Sequence, residues 1–479
     1  MVFSSIFIAF KASIDGLNAG CRSLIGVDGA HLKGNYGGVL LSAIAIDGNN
    51  ELFPVAWAIV GAEDADSWKF FLYHLKSALE PSGRGDNWCI ISDRQKGIDP
   101  AISDIWPKVG RRYCCKHLVK NFKKKFPGLL MFQLFWKAAG AFNPFTFKKA
   151  MKALQKANPL ALVWLAELGP QSRWSKHAFN PEVKCDTNKS NFVESFNSTL
   201  GIDRCRPVLT LLEGIRRVTK VRMATRREAC ENWRDDVCPN IMKRMHVISH
   251  ELRTCKSLKF GDGEFEILDG RSMLPVNLRE KTCVCNAWKL IRLPCKHAMR
   301  AILHSNEDPR FYISEWYSVT RYKLAYANSI KAIPDVDQWP NSPYPEIGPP
   351  TMKRGIGRPA RNRRREEGEQ AKGKRSRTVK CSKCQQFGHN AQTCQGGLTG
   401  KQKVALGESS ASQTNKKQTT RKGKGASMSQ PEPTTVASEP LRVSPRKQRA
   451  KGPISASQPL RVSPRSKRAK GGVSASQPA

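Results

Sequence analysis

Two short runs of cysteine and histidine constrain this chain more than any other feature. The first is Cys283-Val-Cys285 followed, after nine intervening residues, by Cys295-Lys-His297. The second is Cys381-x2-Cys384-x4-His389-x4-Cys394. Each run offers three sulfurs and one imidazole, a complete tetrahedral ligand set for zinc. Segments this short fold around the metal itself. All four positions of each set come from protein, so two structural Zn²⁺ ions are expected. The chain has 15 cysteines, and an odd number with metal-like spacing argues for a reducing compartment rather than a disulfide framework.

The first run sits in a compact mixed segment. Its intervening residues, NAWKLIRLP, are expected to form a small hairpin, and AMRAILH to continue from His297 as a helix. The pattern resembles the SWIM zinc finger across about residues 265–305. The second run resembles the zinc knuckle of retroviral nucleocapsid type. There Gly388 permits a tight turn, and Phe387 is the ring expected to stack on a base of single-stranded DNA or RNA. Gln392 and Thr393 stand where a second aromatic often follows.

Upstream, residues 23–120 alternate strand and helix patterns in the order β-β-β-α-β-α-β-α, which makes an α/β fold. SLIGVDGAHLKG reads as a first strand through Asp28, and GVLLSAIAIDGNNELFPVAWAIVGAE as two strands about the Asp47–Gly48 turn. DSWKFFLYHLKSAL reads as a helix capped by Asp66 or Ser67, WCIISD as a buried strand ending at Asp93, and GRRYCCKH as a fifth strand leading into the basic helix HLVKNFKKKF. Residues 122–240 read as mostly helical. The apolar stretch from Val39 to Val60 is broken by Asp47, Asn49, Asn50 and Glu51, which excludes a membrane span there. The N-terminal apolar run, interrupted at Lys11, is too short for a secretory leader.

Forty acidic residues offer many carboxylate triples, among which Asp47, Asp66, Asp104 and Asp186 compete. The local wording selects three. IGVDGAHLKGNYGG, SWKFFL, IISDRQKGI, YCCKHLVKNF and KCDTNKSNFVESFN closely resemble the Mutator-like (MULE, MuDR-type) transposases over roughly residues 1–240. The resemblance implies a ribonuclease H-like catalytic domain with a helical insertion, and a DDE triad of Asp28, Asp93 and Glu194. In such a sheet the first strand lies beside the fourth, and three carboxylates at one place hold two Mg²⁺ or Mn²⁺ ions for strand cleavage and transfer. It also implies that Cys114 and His117 are the family's embedded C-x2-H pair, a further candidate for metal; Cys115 has no assigned role. These transposases usually carry a DNA-binding region ahead of the catalytic domain, whereas Met1 lies 27 residues before Asp28. A truncated or host-adapted copy is therefore an expectation alongside an active one, with a non-catalytic nuclear DNA- or RNA-binding protein as the alternative function.

The formal net charge of +40 is uneven. Residues 351–479 hold 30 basic and 6 acidic residues with a single aromatic, Phe387. Such a composition cannot bury a core, and its charge favours a polyanion, so DNA is the expected partner and membrane is not. Lys353-Arg354-Gly355-Ile356-Gly357-Arg358-Pro359 reads as an AT-hook, with Arg354 and Arg358 toward the minor groove. Basic clusters at 361–365, 446–449 and 465–470 point to the nucleus. The tail closes on two copies of a 19-residue repeat, from Leu441 and Leu460. The expected organisation is a catalytic domain over 1–240, a SWIM region over 241–310, a linker with the hook over 311–380, the knuckle over 381–394 and a disordered basic tail over 395–479. Homo-oligomerisation is compatible with all of this.

Overall fold

A computed structural model of the protein describes residues 2–334, 336–340, 343–350, 352, 381 and 382. Arg354, Arg358, Cys384, Phe387, His389, Cys394 and the tail repeat lie outside the described residues. The chain divides into two compact units, Met1–Arg365 and Glu366–Ala479, and the first contains every element named below.

That unit is mixed α/β. It opens with strand β1 (Ile6–Ala9) and helix α1 (Lys11–Gly20), followed by β2 (Leu24–His31), β3 (Val39–Ile46), β4 (Leu52–Val60), α2 (Ala65–Leu79), β5 (Cys89–Ser92), α3 (Ile98–Ile105), β6 (Gly110–Tyr113) and α4 (Cys115–Lys125). The expected order is present from β2 onward, but a strand and helix precede it. The residues read only as too short for a leader pair with the sheet edge, Ile6 opposite Ile59 and Ala9 opposite Ala56. The sheet runs β1-β4-β3-β2-β5-β6. Strands β2, β3 and β4 form an antiparallel meander, while β5 is parallel to β2 and β6 to β5. The helix cap expected at Asp66 or Ser67 falls at Asp64, whose carboxylate accepts the Ser67 N–H at 2.9 Å.

Strands β3 and β4 are apolar on both faces because helices cover both. On one side α1, α2 and α3 pack Leu17, Trp68, Phe71 and Ile98 against Val27, Leu41 and Phe53. On the other, α8 (Asn191–Thr199) and α9 (Val208–Glu231) pack Val193, Phe196, Leu211 and Ile215 against Leu40, Ile44 and Trp57. Between β6 and α8 run α5 (Leu129–Gly140), α6 (Pro144–Ala157) and α7 (Leu160–Ala166), which share a separate core with α4 through Phe122, Phe135, Leu154 and Trp174.

After α10 (Pro239–Glu251) comes a second antiparallel sheet, β7 (Cys255–Lys259), β8 (Glu264–Asp269), β9 (Ser272–Asn277) and β10 (Thr282–Cys283), then α11 (Ala287–Ile291) and α12 (Lys296–His304). The hairpin expected over NAWKLIRLP is the short helix α11. Asn286 and Arg292, in the left-handed region at φ +64° and +62°, turn the chain at its two ends, and its buried Leu290 and Ile291 join the main core beneath the six-stranded sheet. The linker expected from residue 311 starts later than that. Helix α13 (Val319–Ala325) packs on α1, and Tyr317, Tyr322 and Tyr326 are fully buried.

A buried polar network ties these pieces together. The Asp47 carboxylate accepts the N–H groups of Asn49 and Glu51, the Tyr326 hydroxyl at 2.7 Å and the Arg226 guanidinium at 3.4 Å. Arg22 donates to the Asp47 carbonyl at 2.9 Å and to the Tyr317 hydroxyl, which in turn donates to the Ile291 carbonyl at 2.8 Å. Elements from residue 22 to residue 326 thus meet at one β-turn.

The contact of α1 with α13 makes a test. A Cβ on Gly16 would lie 2.1 Å from the Ala325 carbonyl oxygen. Glycine to alanine inside an ordinary helix stabilises by about 1 kcal/mol. Here we expect Gly16→Ala to destabilise by about 1–3 kcal/mol, the range of overpacking, as read by urea unfolding; a gain in stability would show that α13 is not docked on α1.

Candidate active site and zinc centre

The parallel register of β2 on β5 runs Leu24↔Cys89, Ile25↔Ile90, Gly26↔Ile91. Carried two residues on, it sets Asp28, midway along β2, across from Asp93, the residue that follows β5. Gly26 and Asp28 share a face of the sheet because side chains alternate. A Cβ on Gly26 would stand 2.3 Å from the Phe192 ring and 2.7 Å from a Val193 methyl, so glycine lets α8 lie directly on that face. The buried Ser42 hydroxyl, on the residue paired with Asp28 across β3, donates to Asn197 Oδ1 at 2.7 Å. This bond holds α8, with Glu194 one turn earlier, over the middle of β2.

The carboxylates report one another's presence. Burial, then the charges of Asp93, Glu63 and Glu194, push the Asp28 carboxyl up from 3.8 to about 7, against a smaller opposing effect of His117. Glu63, which the sequence reading passed over, packs beside Gly29: a Cβ there would meet its carboxylate at 2.7 Å. The only sequence signal for it was an acid in the loop between β4 and α2. Glu194 is held by Lys116 Nζ at 3.1 Å and His117 Nε2 at 3.4 Å. The Asp93 carbonyl accepts from Arg111 at 3.0 Å and from the Ser92 hydroxyl at 2.7 Å.

Cys114 and His117 flank these acids. Burial raises the Cys114 thiol, but His117 and the hydroxyl and amide of Ser190 outweigh it and leave the group at about 7; the Ser190 N–H lies 3.1 Å from the sulfur. Cys115 points the other way, into the helical core, with its sulfur 3.2 Å from the Trp174 carbonyl. The competing acids have structural occupations. Asp47 anchors the buried network, Asp186 pairs with Lys176 at 2.6 Å, Asp104 pairs with Lys69 at 2.8 Å, and Asp66 lies in the first turn of α2.

The second centre is the Cys283, Cys285, Cys295 and His297 quartet, whose ligand atoms all lie within 4.8 Å of one another. Tetrahedral ligands about 2.3 Å from a zinc ion stand roughly 3.8 Å apart, and His297 Nδ1 is 3.6 Å from Cys283 Sγ and 3.8 Å from Cys295 Sγ. The donor set and its spacing therefore fit Zn²⁺, with Nδ1 as the imidazole ligand. Among the described residues no other group of three or more Cys, His, Asp or Glu gathers so tightly. Neither Asp28, Asp93 and Glu194 nor Cys114 and His117 form such a group, and Cys381 is the one ligand of the second expected quartet that is described. Cys295 caps α12, its sulfur accepting the Ala298 N–H at 3.4 Å, and a helix N-terminus favours the thiolate a metal needs.

His297 Nε2 faces Asp269 Oδ2 at 3.3 Å, and Lys296 Nζ reaches the same oxygen at 2.5 Å. A carboxylate behind a ligating imidazole fixes its tautomer and orientation. We expect Asp269→Ala to weaken zinc affinity about 10–100-fold in competition with a chromogenic chelator; unchanged affinity would remove Asp269 from the zinc centre.

A second expectation follows from Asp28. With Mg²⁺ and Mn²⁺ withheld, a carboxyl raised in the folded state loses stability as pH climbs from the unfolded value near 4 to the folded value near 7. Asp28→Asn removes that loss. Its melting temperature should match the parent near pH 4 and exceed it above pH 7 by at least about 2–4 °C, the shift that one kcal/mol brings to a large domain. A constant gap across this range would mean that Asp28 is not raised.

The model of the MULE transposase domain matches residues 24–121, a span that includes Asp28, Asp93, Cys114 and His117. The model of the SWIM zinc finger matches residues 268–306, which include the whole Cys283–His297 quartet. No curated protein matches the chain. The chain thus carries a MULE transposase domain followed by a zinc-binding SWIM finger, the combination of a Mutator-like transposase with a SWIM module.

Proposed function

We propose that this protein cleaves and transfers DNA strands with two divalent cations held by Asp28, Asp93 and Glu194. The observation that carries the reading is the convergence of these carboxylates. Asp28 lies within β2 and Asp93 directly follows β5, its parallel neighbour, while Glu194 stands in α8, which packs on β2; the charges of Asp93 and Glu194 both raise the Asp28 carboxyl. The strand order β4-β3-β2-β5-β6, a meander extended by two parallel strands, supports a ribonuclease H-like reading of the domain.

Oxygen ligands of this kind suit Mg²⁺ or Mn²⁺. Asp28, Asp93 and Glu194 would hold the two ions, which would supply activation of an attacking water or 3′-hydroxyl and stabilisation of the leaving oxygen. The part of the chain itself is to hold the carboxylates in register, Asp93 through its carbonyl bond to Arg111 and Glu194 through Ser42 and Asn197. Lys116 and His117 balance the negative charge of Glu194.

The SWIM finger is proposed as a structural zinc module, and the Cys381, Cys384, His389, Cys394 knuckle as a second one that grips single-stranded nucleic acid through Phe387. With the Arg354 and Arg358 hook and the +24 charge of residues 351–479, these place the protein's work on DNA in the nucleus within this reading. No helix among the described residues is long and apolar enough to cross a membrane.

The test is Mg²⁺- or Mn²⁺-dependent nicking of supercoiled DNA by the zinc-loaded chain. Asp93→Asn should lower the rate on the order of 10²–10³-fold, since a displaced metal forfeits several kcal/mol of transition-state stabilisation. DNA binding should persist. Binding without any metal-dependent nicking would favour the alternative of a non-catalytic nucleic-acid-binding protein.

A further inference from the structure

Helix α4 carries five lysines and no acid in eleven residues, CKHLVKNFKKK. Its buried residues are Cys115, Leu118, Val119 and Phe122, spaced three and four apart, and they fix which face meets the core. Lys116, Lys120, Lys123 and Lys124 fall at the complementary spacing, and the last three are exposed. Like charges three and four apart destabilise an isolated helix. Lysines in the last turn are favoured by the helix dipole, which accounts for Lys123, Lys124 and Lys125 but not for Lys116 or Lys120.

The row borders a cleft of about 550 Å³ that Asp93, Arg94 and His117 share with Lys120, Lys123 and Lys124. From His117 in the first turn to Lys124 in the last, the helix rises about 10 Å at 1.5 Å per residue. That distance is roughly three phosphates of one strand at 3.4 Å of duplex axis each. A second group of cations stands at the Asp93 end. The guanidinium carbons of Arg94, Arg111 and Arg173 lie 5.5, 4.8 and 5.6 Å from the centre of the Tyr113 ring. Asp99 answers Arg111, at 2.7 Å. Arg94, Arg173, Lys120 and Lys124 have no carboxylate partner among the described residues. Lys116 is already engaged with Glu194, so the surplus lies along the cleft rather than within the carboxylate cluster.

We propose that this cleft is the track for a DNA strand. Lys120, Lys123 and Lys124 bind successive backbone phosphates, and Arg94 binds the phosphate beside the one presented to Asp28, Asp93 and Glu194. The inference rests on the reading of those three as the strand-cleaving site and adds the path by which the strand reaches it. The contacts are to phosphate, so the track is blind to base sequence. An extended line of point charges beside a metal-binding carboxylate cluster fits a polyanionic backbone better than a single small anion, which would need convergent donors.

The zinc-loaded full chain is acetylated at lysine with and without a short DNA duplex, in the absence of Mg²⁺ and Mn²⁺, and the sites are read by peptide mass spectrometry. Lys120, Lys123 and Lys124 should be protected about fivefold or more by a backbone that contacts them. Lys148, Lys149 and Lys152 of α6 should react as before. Replacing the three α4 lysines together with glutamine should reduce the slope of log affinity against log salt by about 2–3, at about 0.9 for each phosphate contact, without lowering the melting temperature.

Equal reactivity with and without DNA, or an unchanged slope, would overturn the track. So would protection by polyglutamate or by RNA stronger than that by DNA. Because the footprint needs no cleavage, its failure would leave the catalytic proposal standing. A failure of nicking alone would leave the track standing.

Discussion

The parallel pairing of β2 with β5 is the contact on which the rest of this structure depends. Three backbone registers, from Leu24↔Cys89 to Gly26↔Ile91, set two carboxylates that are 65 positions apart in the chain on neighbouring strands of the sheet interior. The pairing is possible because both strands are apolar enough to be covered on both faces, by α1, α2 and α3 on one side and by α8 on the other. Electrostatic strain gathers around Asp28 as a consequence. Burial and three neighbouring carboxylates drive its carboxyl to about 7, a cost that cations bound there would remove.

The zinc finger is not a bead on a string. Its α11 sends Leu290 and Ile291 into the main core, and Tyr317 bonds both the Ile291 carbonyl and Arg22 just ahead of β2. Zinc at the quartet therefore does more than close a loop of its own. By holding Cys283 and Cys285 against Cys295 and His297, it would set the two ends of α11 and so brace the underside of the six-stranded sheet. The Asp47 turn extends this bracing to α9 and α13 through Arg226 and Tyr326.

Much of this was legible in the sequence because it was local or strongly patterned. The apolar runs gave β2 through β6, the lysine-rich periodicity gave α4, and the C-x-C and C-x-H spacing gave the zinc quartet. What escaped reading depended on distant partners. The run Ile6–Ala9 becomes a strand only because β4 offers an edge, and residues 319–325 become a docked helix only because Gly16 and Gly20 of α1 leave room for Ala325. NAWKLIRLP looked like a hairpin because its length suits one. The left-handed turns at Asn286 and Arg292, and a core three hundred residues deep in sequence, make it a helix. Glu63 and Asp269 were invisible as site residues, since one acid in a loop and another at a strand end carry no pattern until the fold sets them beside Gly29 and His297.

The central claim is that Asp28, Asp93 and Glu194 together hold divalent metal on this sheet. The most direct measurement is a Mn²⁺ titration of the zinc-loaded protein followed by electron paramagnetic resonance, with Asp28→Asn as the reference. The account predicts two Mn²⁺ per chain that the variant does not bind, with spin coupling of the kind two ions about 3.5–4 Å apart produce. Equal Mn²⁺ binding by parent and variant, or none by either, would contradict it.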